Sequence, residues 1–199
     1  MIYISFIVLD LVGADSSFIK YAGILLCLLM CVLSKKALGS TALLFTAFAD
    51  YFLLILDDHY CLGIASFIIV QLIYSLSLRN NEVNNRYPIR GIAIAATVLM
   101  LSVMGINTLE NMLALSYFSL LFGNCLLSFT NKKLGLFSCG LTLFVLCDIC
   151  VGLHNVLTTS TLYEIVSFMM WIFYLPSQVL ITLHFCEDDL STLKFLFRR

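Results

Sequence analysis

The sequence predicts an all-α, polytopic membrane protein, and three observations support this fold class. Hydrophobic residues make up 61% of the 199 residues and charged residues only 12%, whereas about a quarter of a soluble domain is charged. The charged residues cluster between apolar stretches of about 15–22 residues, a length that crosses a bilayer as a helix. No long stretch alternates polar and apolar residues with a period of two, as the strands of a transmembrane barrel do.

About eight transmembrane helices are predicted from these apolar stretches. They cover residues 1–14, 18–33, 38–56, 60–78, 89–105, 112–129, 134–153 and 162–185. Together they form one membrane domain, 1–199, in which a polar cytoplasmic linker at 80–88 separates a first half, 1–79, from a second half, 89–186. The remaining segment, 187–199, is expected to be an amphipathic cytoplasmic tail.

The positions of the basic residues predict the orientation. With the N-terminus in the cytoplasm, ten of the 11 Lys and Arg residues lie on the cytoplasmic side, and only Lys20 lies on the other. Because Lys and Arg concentrate in cytoplasmic loops, this distribution predicts that both termini are cytoplasmic. The expected location is the plasma membrane of a bacterium.

Two carboxylates lie well inside apolar helices. Asp50 follows Phe45-Thr-Ala-Phe-Ala, and Asp148 lies within Phe144-Val-Leu-Cys-Asp-Ile-Cys. An ionised carboxylate in hydrocarbon is costly, so such residues normally face the bundle interior or a polar cavity. The two are predicted at nearly the same depth in the outer third of the membrane. We therefore expect them to form a functional site, whereas a structural role is the alternative for either residue alone.

Polar and aromatic side chains share one face of the helix that follows each carboxylate. The spacing of Phe67, Gln71 and Tyr74 places them on one face of the fourth span, and that of Trp171, Tyr174 and Gln178 places them on one face of the eighth. These six are the candidate substrate-binding residues. The alternative for the amides is hydrogen bonding between helices, and for the aromatic residues it is packing in the core or at the membrane interface.

The two halves show the same order of features, which suggests an internal repeat. In each half a basic turn precedes a helix with Asp in its outer third, and an outer turn containing His precedes a helix with aromatic, Tyr and Gln residues on one face. Four spans per half predict two parallel four-helix repeats related by an axis along the membrane normal. This arrangement would place the third, fourth, seventh and eighth spans around a shared cavity.

No metal or cofactor is predicted. Cys147-Asp-Ile-Cys150 has the spacing of a redox or zinc motif, but no second ligand pair follows at the spacing of a zinc finger. The expected partner is a membrane lipid or lysolipid rather than nucleic acid, and the sequence does not fix the oligomeric state.

The chain resembles the YhhN family of integral membrane proteins, the lysoplasmalogenase family. The resemblance lies in Ala49-Asp50-x-x-Leu53-Leu54 followed by Gly63-x-x-x-Phe67 and Tyr74, and in Leu136–Gly152 followed by Tyr174-x-x-x-Gln178. It implies hydrolysis of the vinyl ether bond of lysoplasmalogens, which releases a fatty aldehyde and a glycerophospho-head group. It also implies that Asp50 and Asp148 are catalytic. One departure is Gln71, which stands where the family pattern suggests His and cannot exchange a proton near neutral pH.

Two membrane carboxylates suit vinyl ether hydrolysis. One carboxyl group protonates the alkene carbon, and the other stabilises the resulting oxocarbenium ion or activates water. The sequence does not assign these two roles between the residues. Two other functions remain open, a small transporter that couples protonation of a carboxylate to substrate movement and a lipid-binding protein without catalysis.

Overall fold

The computed structural model of the protein describes residues 16–80, 108–157 and 161–196, which form six α-helices and no β-strand. These are α1 (Ser17–Leu33), α2 (Ala37–Asp50), α3 (Tyr60–Asn80), α4 (Leu109–Ser128), α5 (Gly135–Val156) and α6 (Thr161–Leu196). A π-helical segment, Tyr51–Leu56, continues α2, and a short 3₁₀ turn, Lys132–Leu134, precedes α5.

The helices match the predicted membrane class. Five of them, α2 with its π-helical segment and α3 to α6, are long and apolar enough to cross a membrane, and α1 is a shorter apolar helix of 17 residues. They correspond to six of the eight predicted spans. The first and fifth spans, 1–14 and 89–105, lie outside the described residues, so the helix number and the internal repeat stay predictions. Helix α6 continues beyond the end of the predicted eighth span.

The six helices form a closed bundle. Each helix packs against the next along the chain, and α6 returns to contact α1 and α2. Many large apolar side chains point outward, including Phe18, Leu33 and Leu126. An outward apolar surface is the one that lipid covers in a membrane, while the interior holds the polar groups described below.

The segment around Asp50 departs from regular α-helix. Asp50 is the last residue of α2, and the chain then runs as a π-helix until Asp57, whose φ of 50° is left-handed. A Cβ added at Gly63 would lie 2.5 Å from Leu53 Cγ, so the glycine lets α3 approach the π-helical segment closely. Such π-helical turns occur frequently at functional sites.

Candidate active site

The Asp50 carboxylate is buried and bound by a tyrosine from the opposite end of the chain. Asp50 on α2 is 5% exposed. The hydroxyl of Tyr174 on α6 lies 2.8 Å from its Oδ1 and 2.7 Å from its Oδ2, so the O–H donates to the carboxylate group. A hydrogen bond to a charged acceptor is among the stronger ones in proteins. The bond therefore fixes Asp50 at the point where α2 meets α6.

The second carboxylate also has a tyrosine neighbour. Asp148 on α5 is partly exposed as a residue, but its Oδ2 is buried. The Tyr117 side chain on α4 interacts with Asp148. Within the described part of the chain, however, Oδ2 has no hydrogen-bond partner of standard geometry. Asp148 therefore combines a buried carboxyl oxygen with a tyrosine neighbour, as Asp50 does.

The two carboxylates occupy matching positions in their helices. Asp50 is the fourteenth residue of α2, and Asp148 is the fourteenth of α5. The thiol of Cys147 lies within electrostatic range of both carboxylates. The two carboxylates therefore have the same position along their helices, and both influence the Cys147 thiol electrostatically.

An aromatic cluster joins the two tyrosine–carboxylate pairs. The Phe144 ring on α5 contacts Tyr174, with centroids 5.6 Å apart, and Tyr117, at 6.4 Å. Phe67 on α3 lies 5.5 Å from Tyr117 and 5.7 Å from Phe144, and Trp171 lies 5.5 Å from Tyr174. The structure thus brings the predicted residues Phe67, Trp171 and Tyr174 into one cluster around the carboxylates.

Gln71 is part of a hydrogen-bond network between α3 and α4. The Asn124 side-chain N–H donates to the Gln71 Oε1 at 3.0 Å and to the Gln71 backbone oxygen at 2.8 Å. The Ser75 hydroxyl donates to the Asn124 Oδ1 at 2.8 Å. All three residues are buried. The Gln71 oxygen therefore helps to join two helices, which is the structural alternative considered for this residue.

Tyr74 and Gln178 complete the predicted set in different ways. Tyr74 is fully buried and packs on Phe137 at 5.3 Å and Phe185 at 6.2 Å, so its ring belongs to a second aromatic cluster. Gln178 is also fully buried, one helical turn after Tyr174, yet neither atom of its amide finds a hydrogen-bond partner among the described residues. Burying an amide without a hydrogen-bond partner destabilises the folded protein unless a ligand or water binds the amide.

The sequence analysis did not identify Tyr117 as a site residue. For Lys20 it predicted only the side of the membrane on which the residue lies. Tyr117 and Asn124 are seven residues apart and share a helix face, which is the signal that could have pointed to Tyr117. Lys20 on α1 is buried, at 8% exposure, and its ammonium lies 4.5 Å from the centre of the Trp171 ring. A buried cation therefore stands beside the aromatic cluster.

In the described ranges, no three side chains among His, Cys, Asp and Glu converge in a way that could hold a metal ion. The polar and ionisable side chains described in this region include the two carboxylates, the two tyrosine hydroxyls, the Cys147 thiol, the buried amides and the Lys20 ammonium.

The fold is that of a polytopic α-helical membrane protein, and its described interior contains the Asp50 carboxylate and a buried oxygen of Asp148. A family model described as the YhhN family matches residues 16–185. The chain therefore belongs to the YhhN family, as the sequence motifs suggested. The same comparisons match it to no curated protein and to no solved structure.

Proposed function

We propose that the protein hydrolyses the vinyl ether bond of lysolipids, with Asp50 and Asp148 as its acid–base pair. The observation that carries the proposal is the buried Asp50 carboxylate held by Tyr174. The second buried carboxyl oxygen, on Asp148, supports it. Family membership supports the same activity, since lysoplasmalogen hydrolysis is what the resemblance implies.

In the proposed first step, Asp148 acts as the general acid. Its Oδ2 has no hydrogen-bond partner among the described residues, so this oxygen can approach the alkene of a bound lipid. Its proton forms a C–H bond at the alkene carbon remote from oxygen, the C=C π bond opens, and an oxocarbenium ion results. General acid catalysis of this kind contributes about 10²–10⁴-fold in rate.

In the proposed second step, Asp50 acts as the base. Its carboxylate accepts a proton from water as the water oxygen bonds to the oxocarbenium carbon, which gives a hemiacetal. The hemiacetal then loses its glycerol oxygen, which takes the proton from Asp50, while the hemiacetal hydroxyl returns a proton to Asp148. The sum is one vinyl ether and one water converted to one fatty aldehyde and one glycerophospho-alcohol.

Gln71 takes no part in these proton transfers. Its side-chain oxygen accepts from Asn124, so a hydrogen bond between α3 and α4 accounts for this atom. The proposed reaction needs only the two carboxylates and no metal or organic cofactor. The substrate is proposed to enter sideways from the membrane, with its head group near the outer turns. The protein is proposed to lie in the plasma membrane of a bacterium, with both termini in the cytoplasm.

Aldehyde release from a vinyl ether lysolipid tests the proposal. Purified protein is incubated with a 1-alkenyl lysophospholipid, and the matched 1-alkyl lysophospholipid serves as the control because it has no alkene to protonate. We expect aldehyde only from the alkenyl lipid. In D₂O the trapped aldehyde should carry one deuterium on the carbon next to the carbonyl, since the acid protonates that carbon.

Folded protein that releases no aldehyde from any alkenyl lysolipid would overturn the hydrolase proposal. Lipid recovered bound but unchanged would then favour a binding protein, and passage of an unchanged solute into vesicles would favour a transporter.

Replacing Tyr174 by Phe should slow the reaction without unfolding the bundle. The substitution removes the hydroxyl bound to Asp50 but keeps the ring that packs on Phe144. Because a hydrogen bond to a charged group contributes about 1.5–3 kcal/mol, we expect aldehyde release to fall about 10- to 100-fold. Tyr163→Phe is the matched control, since Tyr163 lies at the start of α6 and stacks on His154. Equal rates in both variants would exclude a role of Tyr174 in holding Asp50.

A further inference from the structure

Helices α3 and α6 are linked by aromatic contacts at two levels of the bundle. At the level of the carboxylates, Phe67 of α3 and Tyr174 of α6 both contact the Phe144 ring, at 5.7 and 5.6 Å. Further along both helices, Tyr74 of α3 stacks on Phe185 of α6 at 6.2 Å. The two helices therefore run in the same direction between the two aromatic clusters, and the residues between these contacts form a common layer.

Two fully buried amides lie in this layer. On α3, Gln71 comes one helical turn after the first aromatic contact and one turn before the second. On α6, Gln178 comes one turn after the first contact and two turns before the second. Leu141 of α5 is also fully buried and lies between the two clusters, one turn after Phe137 and one turn before Phe144. The layer thus combines amide groups with an apolar wall.

Three polar atoms of these amides have no hydrogen-bond partner within the ranges 16–80, 108–157 and 161–196. They are the Gln71 Nε2 and both the Nε2 and the Oε1 of Gln178. The Gln71 Oε1 accepts from Asn124, so its Nε2 is the end of the amide that is left over. Both ends of Gln178 lack a partner, so exchanging its oxygen and nitrogen would not supply one. Buried polar groups are nearly always paired, so this layer requires a ligand that both donates and accepts.

We infer that the two amides bind water, and that this layer supplies the water molecule that Asp50 activates. The second clause rests on the proposed function. A buried water molecule needs two to four polar partners, and the amides offer both N–H donors and a carbonyl acceptor. Their complete burial between two aromatic clusters suits a small molecule. Tyr174, whose hydroxyl contacts Asp50, lies four residues before Gln178, about 6 Å along the helix axis. Gln178 is therefore a residue that positions water for the base.

Radiolytic footprinting in H₂¹⁸O tests the water site without any catalysis. X-rays convert bound water into hydroxyl radicals, which oxidise the nearest side chains before they diffuse away. Leu141 is the probe, and Leu43 is the matched control, because it is equally buried but belongs to a separate cluster with Cys31 and Cys186. We expect ¹⁸O to enter Leu141 and not Leu43. Equal labelling of the two leucines in the wild type would overturn the inference, whether or not any variant folds.

Variants of Gln178 show whether its amide holds the water. Gln178→Leu removes both polar ends of the side chain at similar volume and should lower the labelling of Leu141 to that of Leu43. Gln178→Asn, which keeps an amide, should retain the labelling. Thr182→Val is the matched control, since it removes a buried hydroxyl that already donates to the Gln178 backbone oxygen, and it should change nothing. Wild-type labelling in folded Gln178→Leu would contradict the inference.

Steady-state kinetics separate the supply of water from the binding of lipid. Gln178→Leu should lower kcat about 2- to 10-fold, the effect of losing one hydrogen bond between neutral groups, and leave KM for the alkenyl lysolipid unchanged. An unchanged kcat would show that Asp50 draws its water from elsewhere, and a raised KM would show that the amide binds the lipid. Either result would overturn the inference. Labelled Leu141 in a wild-type protein that releases no aldehyde would instead contradict only the hydrolase proposal.

Discussion

Asp50→Asn is expected to lower the rate of aldehyde release about 10²–10⁴-fold, the range typical for loss of a general acid or base. The amide is nearly the size of the carboxylate, and its oxygen can still accept the bond from Tyr174, which now joins the carboxylate at 2.7 and 2.8 Å. The substitution therefore removes proton exchange while α2 and α6 stay joined. The measurement is the initial rate of aldehyde formation, with thermal unfolding in detergent measured alongside.

Asp58→Asn is the matched control, because the Asp58 side chain is 72% exposed in the turn that follows the π-helical segment. It should keep the wild-type rate. Asp148→Asn should lose activity to a similar extent, and the double variant should be little worse than either single one, since residues that act as a unit are strongly non-additive. Wild-type rates in folded Asp50→Asn would show that the proposed site is wrong.

The helices and the interior position of Asp50 could be predicted from the sequence because one physical constraint dominates in each case. An apolar stretch of about 20 residues bounded by charges can satisfy its backbone in a membrane only as a helix. A carboxylate inside such a stretch must face the bundle interior, where polar side chains can bind it. Both arguments use only composition and spacing, so they succeed without knowledge of how the helices pack.

The contacts that surround the carboxylates could not be predicted from the sequence, because they depend on how the helices pack. The sequence gives Tyr117 only an indirect signal, its position on the same helix face as Asn124, and does not show that Asp148 is its neighbour. The π-helical turn after Asp50 has no signal in Tyr-Phe-Leu-Leu-Ile-Leu, since these residues also suit an α-helix. Charge counting placed Lys20 on one side of the membrane, but its burial against Trp171 depends on the contact between α1 and α6.

The packing of α5 against α6 is what holds Asp148 and Tyr174 in one bundle. A Cβ added at Gly140 on α5 would lie 2.7 Å from Ile181 Cγ1 on α6. It would also lie 3.1 Å from the backbone oxygen of Ser177 and 3.2 Å from the backbone nitrogen of Ile181. Close approach of backbones through small residues is a common way for membrane helices to associate.

Gly140→Leu is therefore expected to destabilise the protein by about 3 kcal/mol or more, at the upper end of the range for overpacking, because backbone atoms of α6 cannot rotate out of the way. Gly152→Leu is the control on the same helix, since a Cβ there meets no atom within 4 Å, and it should leave stability nearly unchanged. Thermal unfolding of both variants in the same detergent measures the difference. The added side chain would also push apart α5 and α6, which carry Asp148 and Tyr174. We therefore expect the folded Gly140→Leu protein to release less aldehyde than the wild type. Equal unfolding temperatures for the two leucine variants would mean that α5 and α6 do not pack through Gly140.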